Sequence, residues 1–378
     1  MIKTKIIANY LPQYHSIPEN DKWWGKGYTD WEAVKKSKQL FDGHSQPRVP
    51  LNAQYYDLSK KQEIEKQVRM AKEYGVWGFG IYHYWFNSEL MLLEKPSEIL
   101  LNNKDIDINF MFIWDNGTWK RTWSNVRRGN DWAPVFDNQN KDKSQSSPDD
   151  NGVLAELKYG DESDWKTHFN YLLPFFKDNR YIRIDNKPVF VFYQPDNDNE
   201  TVCKMCKYWN ELAVKNGLNG IAFVSKTNYK GSAMEYTFDY EPLSPITNYE
   251  IFKRRAINVM NRIHPRLLKY NYDALWKKIL SKAKKCDNEK HFYGAFVDYD
   301  DTPRRGKKGK VVLGASPEKF KNYMTQLINI SQKQGKKYIF LTAWNEWGEG
   351  AYLEPDQENG YAYLEALKEA VDNVNGGM

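Results

Sequence analysis

Tyr338-Ile339-Phe340-Leu341-Thr342-Ala343-Trp344 is an apolar, β-branched and aromatic run of strand length, and Asn345-Glu346-Trp347-Gly348-Glu349-Gly350 follows without a gap. A strand that empties straight into amide, carboxylate and indole side chains has a functional face at its far end. The same pattern recurs upstream. Lys5–Tyr10 leads into Tyr10-Leu11-Pro12-Gln13-Tyr14-His15, and Gly78–Tyr84 into Tyr82-His83-Tyr84-Trp85-Phe86-Asn87. Ile108–Trp114 leads into Trp114-Asp115-Asn116-Gly117-Thr118-Trp119-Lys120-Arg121. Tyr236–Glu241 ends in Asp239-Tyr240-Glu241-Pro242, and Phe292–Tyr299 runs on to Asp300-Asp301-Thr302-Pro303-Arg304-Arg305. Pro188–Tyr193 and Gly220–Ser225 complete eight predicted strands, two of them without such an ending.

Helical periodicity fills most of the intervals: Leu58–Tyr74, with Ile64, Val68 and Ala71 on one face, then Glu162–Lys177, Val202–Asn216, Asn248–Lys285, Pro317–Gln334 and Tyr361–Val374. Ser316 before Pro317 reads as an N-cap with proline in the first turn, and Gly335 as the stop of the same helix. Alternating strands and helices in this number predict an α/β fold, a single (β/α)8 TIM barrel over residues 1–378. A doubly wound sheet would carry a glycine-rich phosphate turn after an early strand, and none is present. A polar stretch at about 137–152 is expected as a long exposed loop, and 248–285 as a helical insertion.

The 378 residues carry 55 basic and 49 acidic side chains, a net charge of +6 that is mild for this length. The run Arg304, Arg305, Lys307, Lys308 and Lys310 reads as a solvated loop, and no nucleic-acid-binding signature accompanies it. No apolar run is long enough to span a membrane, and the first residues lack the pattern of a secretory signal, so a cytoplasmic location is expected. Three cysteines make no disulfide framework; Cys203 and Cys206 form a lone C-x-x-C, without the second pair that a zinc site needs. No metal or cofactor is expected.

The 14 Trp, 26 Tyr and 18 Phe stand largely among Asp, Asn, His and Arg rather than among aliphatic residues. Rings in such company line clefts, and a sugar ring suits them, with one apolar C–H face and a rim of hydroxyls. Glu346 and Glu349 are the candidate catalytic pair. Two carboxyls held together repel when both ionise, so one pKa rises and the pair supplies an acid and a base. Cleavage of a glycosidic bond needs that division of labour, with the carboxyls roughly 5 to 5.5 Å apart in a retaining enzyme. Residues expected to line the substrate cleft are Tyr10, Gln13, His15, Trp24, Tyr82, His83, Tyr84, Trp85, Trp114, Asp115, Asn116, Trp119, Arg121, Glu241, Asp300, Arg304, Trp344, Asn345 and Trp347. Asp298-Tyr299-Asp300 is also of a form that could hold a metal–diphosphate, whereas His44, His168, His264 and His291 read as ordinary loop or helix residues.

Several long motifs in a fixed order resemble the WbsX-type family, labelled glycosyltransferase-like. They are Leu11–His15, Asn20-Asp21-Lys22-Trp23-Trp24-Gly25-Lys26-Gly27-Tyr28, Gly43-His44-Ser45-Gln46-Pro47-Arg48, Tyr82–Phe86, Thr302–Arg305 and Trp344–Gly350. That family is in turn similar to the endo-α-mannosidases, retaining hydrolases on (β/α)8 barrels. The resemblance implies that Glu346 deprotonates the 2-hydroxyl of the sugar for attack at the anomeric carbon. It also implies that Glu349 protonates the leaving oxygen and later activates water. One departure concerns the third strand, where relatives usually carry a glutamate at the position of Gly117, with Asp115 the nearby substitute. Three readings follow: a retaining, endo-acting hydrolase of a polysaccharide or oligosaccharide; a nucleotide-sugar transferase of lipopolysaccharide or capsule assembly, with Asp298, Asp300 or Arg304/Arg305 on the diphosphate; and a glycan-binding barrel without catalysis.

Overall fold

The computed structural model describes residues 3–122, 129–130, 153–194, 199–226, 232–247 and 267–375. Eight parallel strands close on themselves: β1 (Lys5–Tyr10), β2 (Val76–Asn87), β3 (Asn109–Trp114), β4 (Lys187–Phe192), β5 (Ala222–Lys226), β6 (Tyr236–Phe238), β7 (His291–Phe296) and β8 (Tyr338–Thr342). Each pairs with its sequence neighbours, and β1 closes the ring, Ala8 lying opposite Leu341 of β8 on one side and Phe79 of β2 on the other. All eight strands coincide with predicted ones to within a few residues. Covered on both faces, they are apolar along their length; every residue of β7 is buried.

Among the described residues, the helices of eight residues or more lie outside the barrel and bury one stripe each. They are α1 (Lys61–Glu73), α2 (Lys95–Asn102), α3 (Glu162–Phe176), α4 (Asn199–Lys215), α5 (Tyr272–Lys285), α6 (Pro317–Lys333) and α7 (Ala362–Asn375). In α1 the predicted stripe Ile64, Val68 and Ala71 is buried, joined by Gln67. At the start of α6 the Ser316 hydroxyl accepts the Lys319 N–H at 3.3 Å, and Gly335 beyond its end has φ +69°. The short helix α2 was not expected; at eight residues its apolar period repeats barely twice.

One expectation is corrected. Among the described residues of 248–285, Leu268–Asn271 is a strand, pairing in parallel with Lys310–Leu313, and a helix begins at Tyr272. The Asn271 side chain accepts the Ala274 N–H at 2.9 Å and so starts the helix there. Residues 248–266 and the predicted loop at 137–152 lie outside the described residues. Among the described residues no helix is long and apolar enough to cross a membrane.

Candidate active site at the C-terminal mouth of the barrel

Beyond β8 the chain folds back on itself. Asn345–Glu346 pairs antiparallel with Ala351–Tyr352 around a one-turn helix, Trp347–Glu349. Two glycines make the turn possible. Gly350 sits at φ +58°, and a Cβ there would come 2.9 Å from the Asp300 Cβ. A Cβ on Gly348 would lie 2.5 Å from both Arg304 Nε and an Asp30 oxygen, so only glycine lets this turn rest on that pair.

Arg304 is the centre of the site. Its Nε and Nη2 donate to the two oxygens of Asp30 at 3.3 and 2.9 Å. Its Nη1 donates to Glu349 Oε1 at 3.0 Å, and Nη2 reaches Glu346 Oε2 at 3.4 Å. One guanidinium thus holds three carboxylates, two of which it sets side by side. Burial opposes its charge, but Asp30, Glu349 and Glu346 outweigh it and hold the guanidinium ionised. Sequence reading gave Arg304 both to a basic run read as a solvated loop and to the residues expected to line the cleft; at 4 % exposed it is not part of a solvated loop.

The two glutamates differ. Glu346 is buried, and burial followed by the Glu349 charge pushes its pKa up to about 8, against the pull of Arg304. The Glu349 side chain keeps 23 % of its surface exposed and faces outward from the same turn. The buried Glu346 therefore holds its proton near neutrality.

Aromatic rings and a few charges enclose this pair. The Tyr82 hydroxyl donates to that of Tyr240 at 3.1 Å, and the Tyr193 ring stands edge-on to both. Tyr84 meets Trp119 edge-on at 5.1 Å. Burial and then nearby carboxylates, Glu346 for Tyr82 and Asp115 for Tyr84, raise both phenols, which stay neutral donors. The Asp115 carboxyl accepts Gln194 Nε2 at 3.0 Å, and its pKa is raised by burial. Gln194 also occupies the space above Gly117, where a Cβ would come 2.6 Å from its Nε2. The space that a side chain at position 117 would take is thus filled by the amide of Gln194, just beyond β4.

Other predicted residues are placed elsewhere. Side chains alternate along a strand, so only Tyr82 and Tyr84 of their run face the barrel interior. His83 and Trp85 point outward: His83 Nε2 lies 2.8 Å from His168 Nε2 on α3, and Trp85 stacks on that ring at 4.3 Å. Burial drives the His83 pKa down to about 3. Trp114 joins them, its Nε1 donating to the Trp85 carbonyl. Tyr10 donates to Gln67 of α1 at 2.6 Å. Asn345 clamps both backbone groups of Leu11, and Asn116 clamps Gln194 while donating to the Tyr159 hydroxyl. Trp344 is fully buried, and Trp347 stacks on Tyr352 at 3.7 Å. These residues build the rim rather than line it. Gln13 lies close by, its carbonyl accepting the Asp30 N–H at 3.2 Å. Glu241 is buried with its pKa well raised by burial and Asp239, and His15 Nδ1 donates to the Pro12 carbonyl, 3.0 Å away. Trp24 is half-buried beside Tyr28; the side chain of Arg121 lies outside the described residues.

Asp300 needs correcting as a ligand residue. Fully buried, it accepts from His44 Nε2 at 2.9 Å, Gln46 Nε2 at 2.7 Å, and the Thr302 N–H and hydroxyl at 3.0 and 2.6 Å. Asp298 is paired with Arg48 at 2.8 Å. Both are held by the chain's own donors. Among the described residues no group of three or more His, Cys, Asp or Glu is placed to hold a metal ion. Asp30, Tyr193, Gln194, Lys226 and Tyr240 were missed. Tyr193 and Lys226 stand at the ends of β4 and β5, the two strands without a polar ending in sequence, and Asp30 had no local signal.

Residues 6–367 match the model of one protein family, over most of the chain. The chain belongs to the family described as Glycosyltransferase WbsX. It is 29% identical over 377 residues to WxcX of Xanthomonas campestris pv. campestris, covering 97% of this chain and 49% of that protein. The chain thus spans about half the length of the curated relatives it matches. Its fold is similar to that of the GH99 endo-alpha-mannosidase from Bacteroides thetaiotaomicron, with a TM-score of 0.58 at 16% identity over 100% of this chain and 99% of that one. A glycoside hydrolase-like protein shares the fold at a TM-score of 0.55 and 13% identity, over 98% of this chain and 94% of that one. The (β/α)8 architecture is thereby common to all three.

Proposed function

We propose that this WbsX-family barrel, acting as one catalytic unit, cleaves glycosidic bonds within a polysaccharide or oligosaccharide by a retaining, endo-acting route. The observation that carries the reading is the Glu346/Glu349 pair on one guanidinium, one carboxyl buried with its pKa at about 8 and the other open to the cleft. In the first step Glu349 gives its proton to the leaving oxygen as the anomeric C–O bond breaks. The 2-oxygen of the same sugar closes on the anomeric carbon, and its proton passes to Glu346. In the second step Glu349 deprotonates water, which opens the ring at the anomeric carbon, and Glu346 returns its proton to O2. Arg304, touching both glutamates, compensates whichever carboxylate is ionised as the proton passes between the steps.

The family description favours a second reading, transfer from a nucleotide sugar. Both are tested by product release from α-mannans and bacterial surface polysaccharides without any nucleotide sugar, comparing the native chain with Glu349→Gln. New reducing ends from the native chain alone support hydrolysis. Silence without nucleotide, followed by turnover when a nucleotide sugar is added, sinks it.

A further inference from the structure

Lys226 is the last residue of β5, half-buried at the mouth of the barrel. Its ammonium lies 4.0 Å from the centre of the Tyr193 ring and 5.6 Å from that of Tyr240. It forms an ion pair with none of the described carboxylates. Two buried arginines beside the site are matched by carboxylates: Arg304 by Asp30, Glu346 and Glu349, and Arg48 by Asp298. The nearby Asp115 carboxyl is engaged by Gln194. Burial holds the Lys226 pKa below its ordinary value, with Asp115 and Glu349 pulling the other way. A long flexible side chain of this kind ordinarily extends its charge into water. Here it lies over two ring faces, within electrostatic reach of Asp115 and Glu349.

We propose that Lys226 anchors an anionic substituent, a carboxylate or a phosphate, on the glycan bound beside Glu346 and Glu349. A lysine presents one compact charge, which suits a single oxygen of either group. Gln194, seated over Gly117, bounds the same end of the cleft.

This inference rests on the glycan reading above, and binding without turnover separates the two. The full chain is titrated calorimetrically with two matched pairs. One is a glucuronate-containing tetrasaccharide and its carboxyl-reduced form; the other is a phosphomannosyl oligosaccharide and its dephosphorylated form. The acidic member of one pair should bind about tenfold more tightly at low salt, with the preference shrinking as salt rises. Which pair shows it tells carboxylate from phosphate. In Lys226→Met the two members should bind alike, and Lys226→Arg should keep part of the preference, which a loss of folding would not produce. Equal binding within both pairs overturns the proposal, as does a preference that survives Lys226→Met. Lys226-dependent acidic binding without cleavage would sink hydrolysis and leave this anchor standing. Cleavage of neutral glycans with no charge preference would do the reverse.

Discussion

Glu346 and Glu354 are both buried, both on the segment that follows β8, and both pushed upward in pKa by burial, to about 8 and about 7. Their surroundings differ in kind. Glu354 accepts from Trp347 Nε1 and the Tyr56 hydroxyl at 2.7 Å each, and from Gln67 Nε2 at 2.9 Å. Those neutral donors fill it, and it ties the turn after β8 to α1 and to the segment after β1. Among the described residues Glu346 has one side-chain donor, at 3.4 Å, and a second carboxyl beside it. A buried carboxyl filled by neutral donors is scaffold. One left short of donors beside a like group at a cleft is poised to exchange a proton.

The contrast can be broken at several points. Glu349→Gln removes the acid and should lower turnover by about 10^3-fold while glycan binding persists. Single-turnover product release checks this, and a rate within a few-fold of native would remove Glu349 from the mechanism. Gly348→Ala forces a methyl group onto Arg304 and Asp30 and should cost about 100-fold in kcat/KM; a rate near native would show that the dyad does not depend on that guanidinium. Glu354→Ala leaves three buried donors unmatched and should cost about 3 kcal/mol of stability, measured by chemical denaturation, with the pH optimum unmoved. A shifted optimum would join Glu354 to the active dyad and erase the contrast.

The smallest effect concerns pH. The folded chain holds the Glu346 proton from the ordinary 4.5 up to about 8, so in that window it binds more protons than the unfolded chain. Stability from this group is full below the window and declines as pH rises through it. Glu346→Gln should flatten that decline and raise Tm by about 2 °C at pH 8 relative to the native chain. Melting curves at pH 5 and pH 8 that fall equally in both proteins would contradict the raised pKa.

Much of the fold is legible because its signals are local. Each strand shows as a short apolar run, and each long helix as a stripe repeated three or more times; α2 failed for want of length. The strand at Leu268–Asn271 was hidden because it is defined by pairing with Lys310–Leu313, a partner that no local pattern points to. At the site, Glu346, Glu349 and Arg304 were legible as unusual polar residues beyond strand ends. Asp30 was not, since it meets Arg304 only across 274 residues of chain.

The sequence by itself determined the eight strands, their order and the carboxylate pair at the last of them, because alternation, period and turn chemistry act over a few residues. Only the tertiary structure decided which half of each rim faces the cleft. In Tyr82-His83-Tyr84-Trp85 every residue has the chemistry of a sugar site, yet closure of the barrel turned Tyr82 and Tyr84 toward Glu346 and gave His83 and Trp85 to α3. The alternation of side chains is fixed by the backbone. Which parity points inward is set by the strand's pairing with both neighbours once the ring has closed.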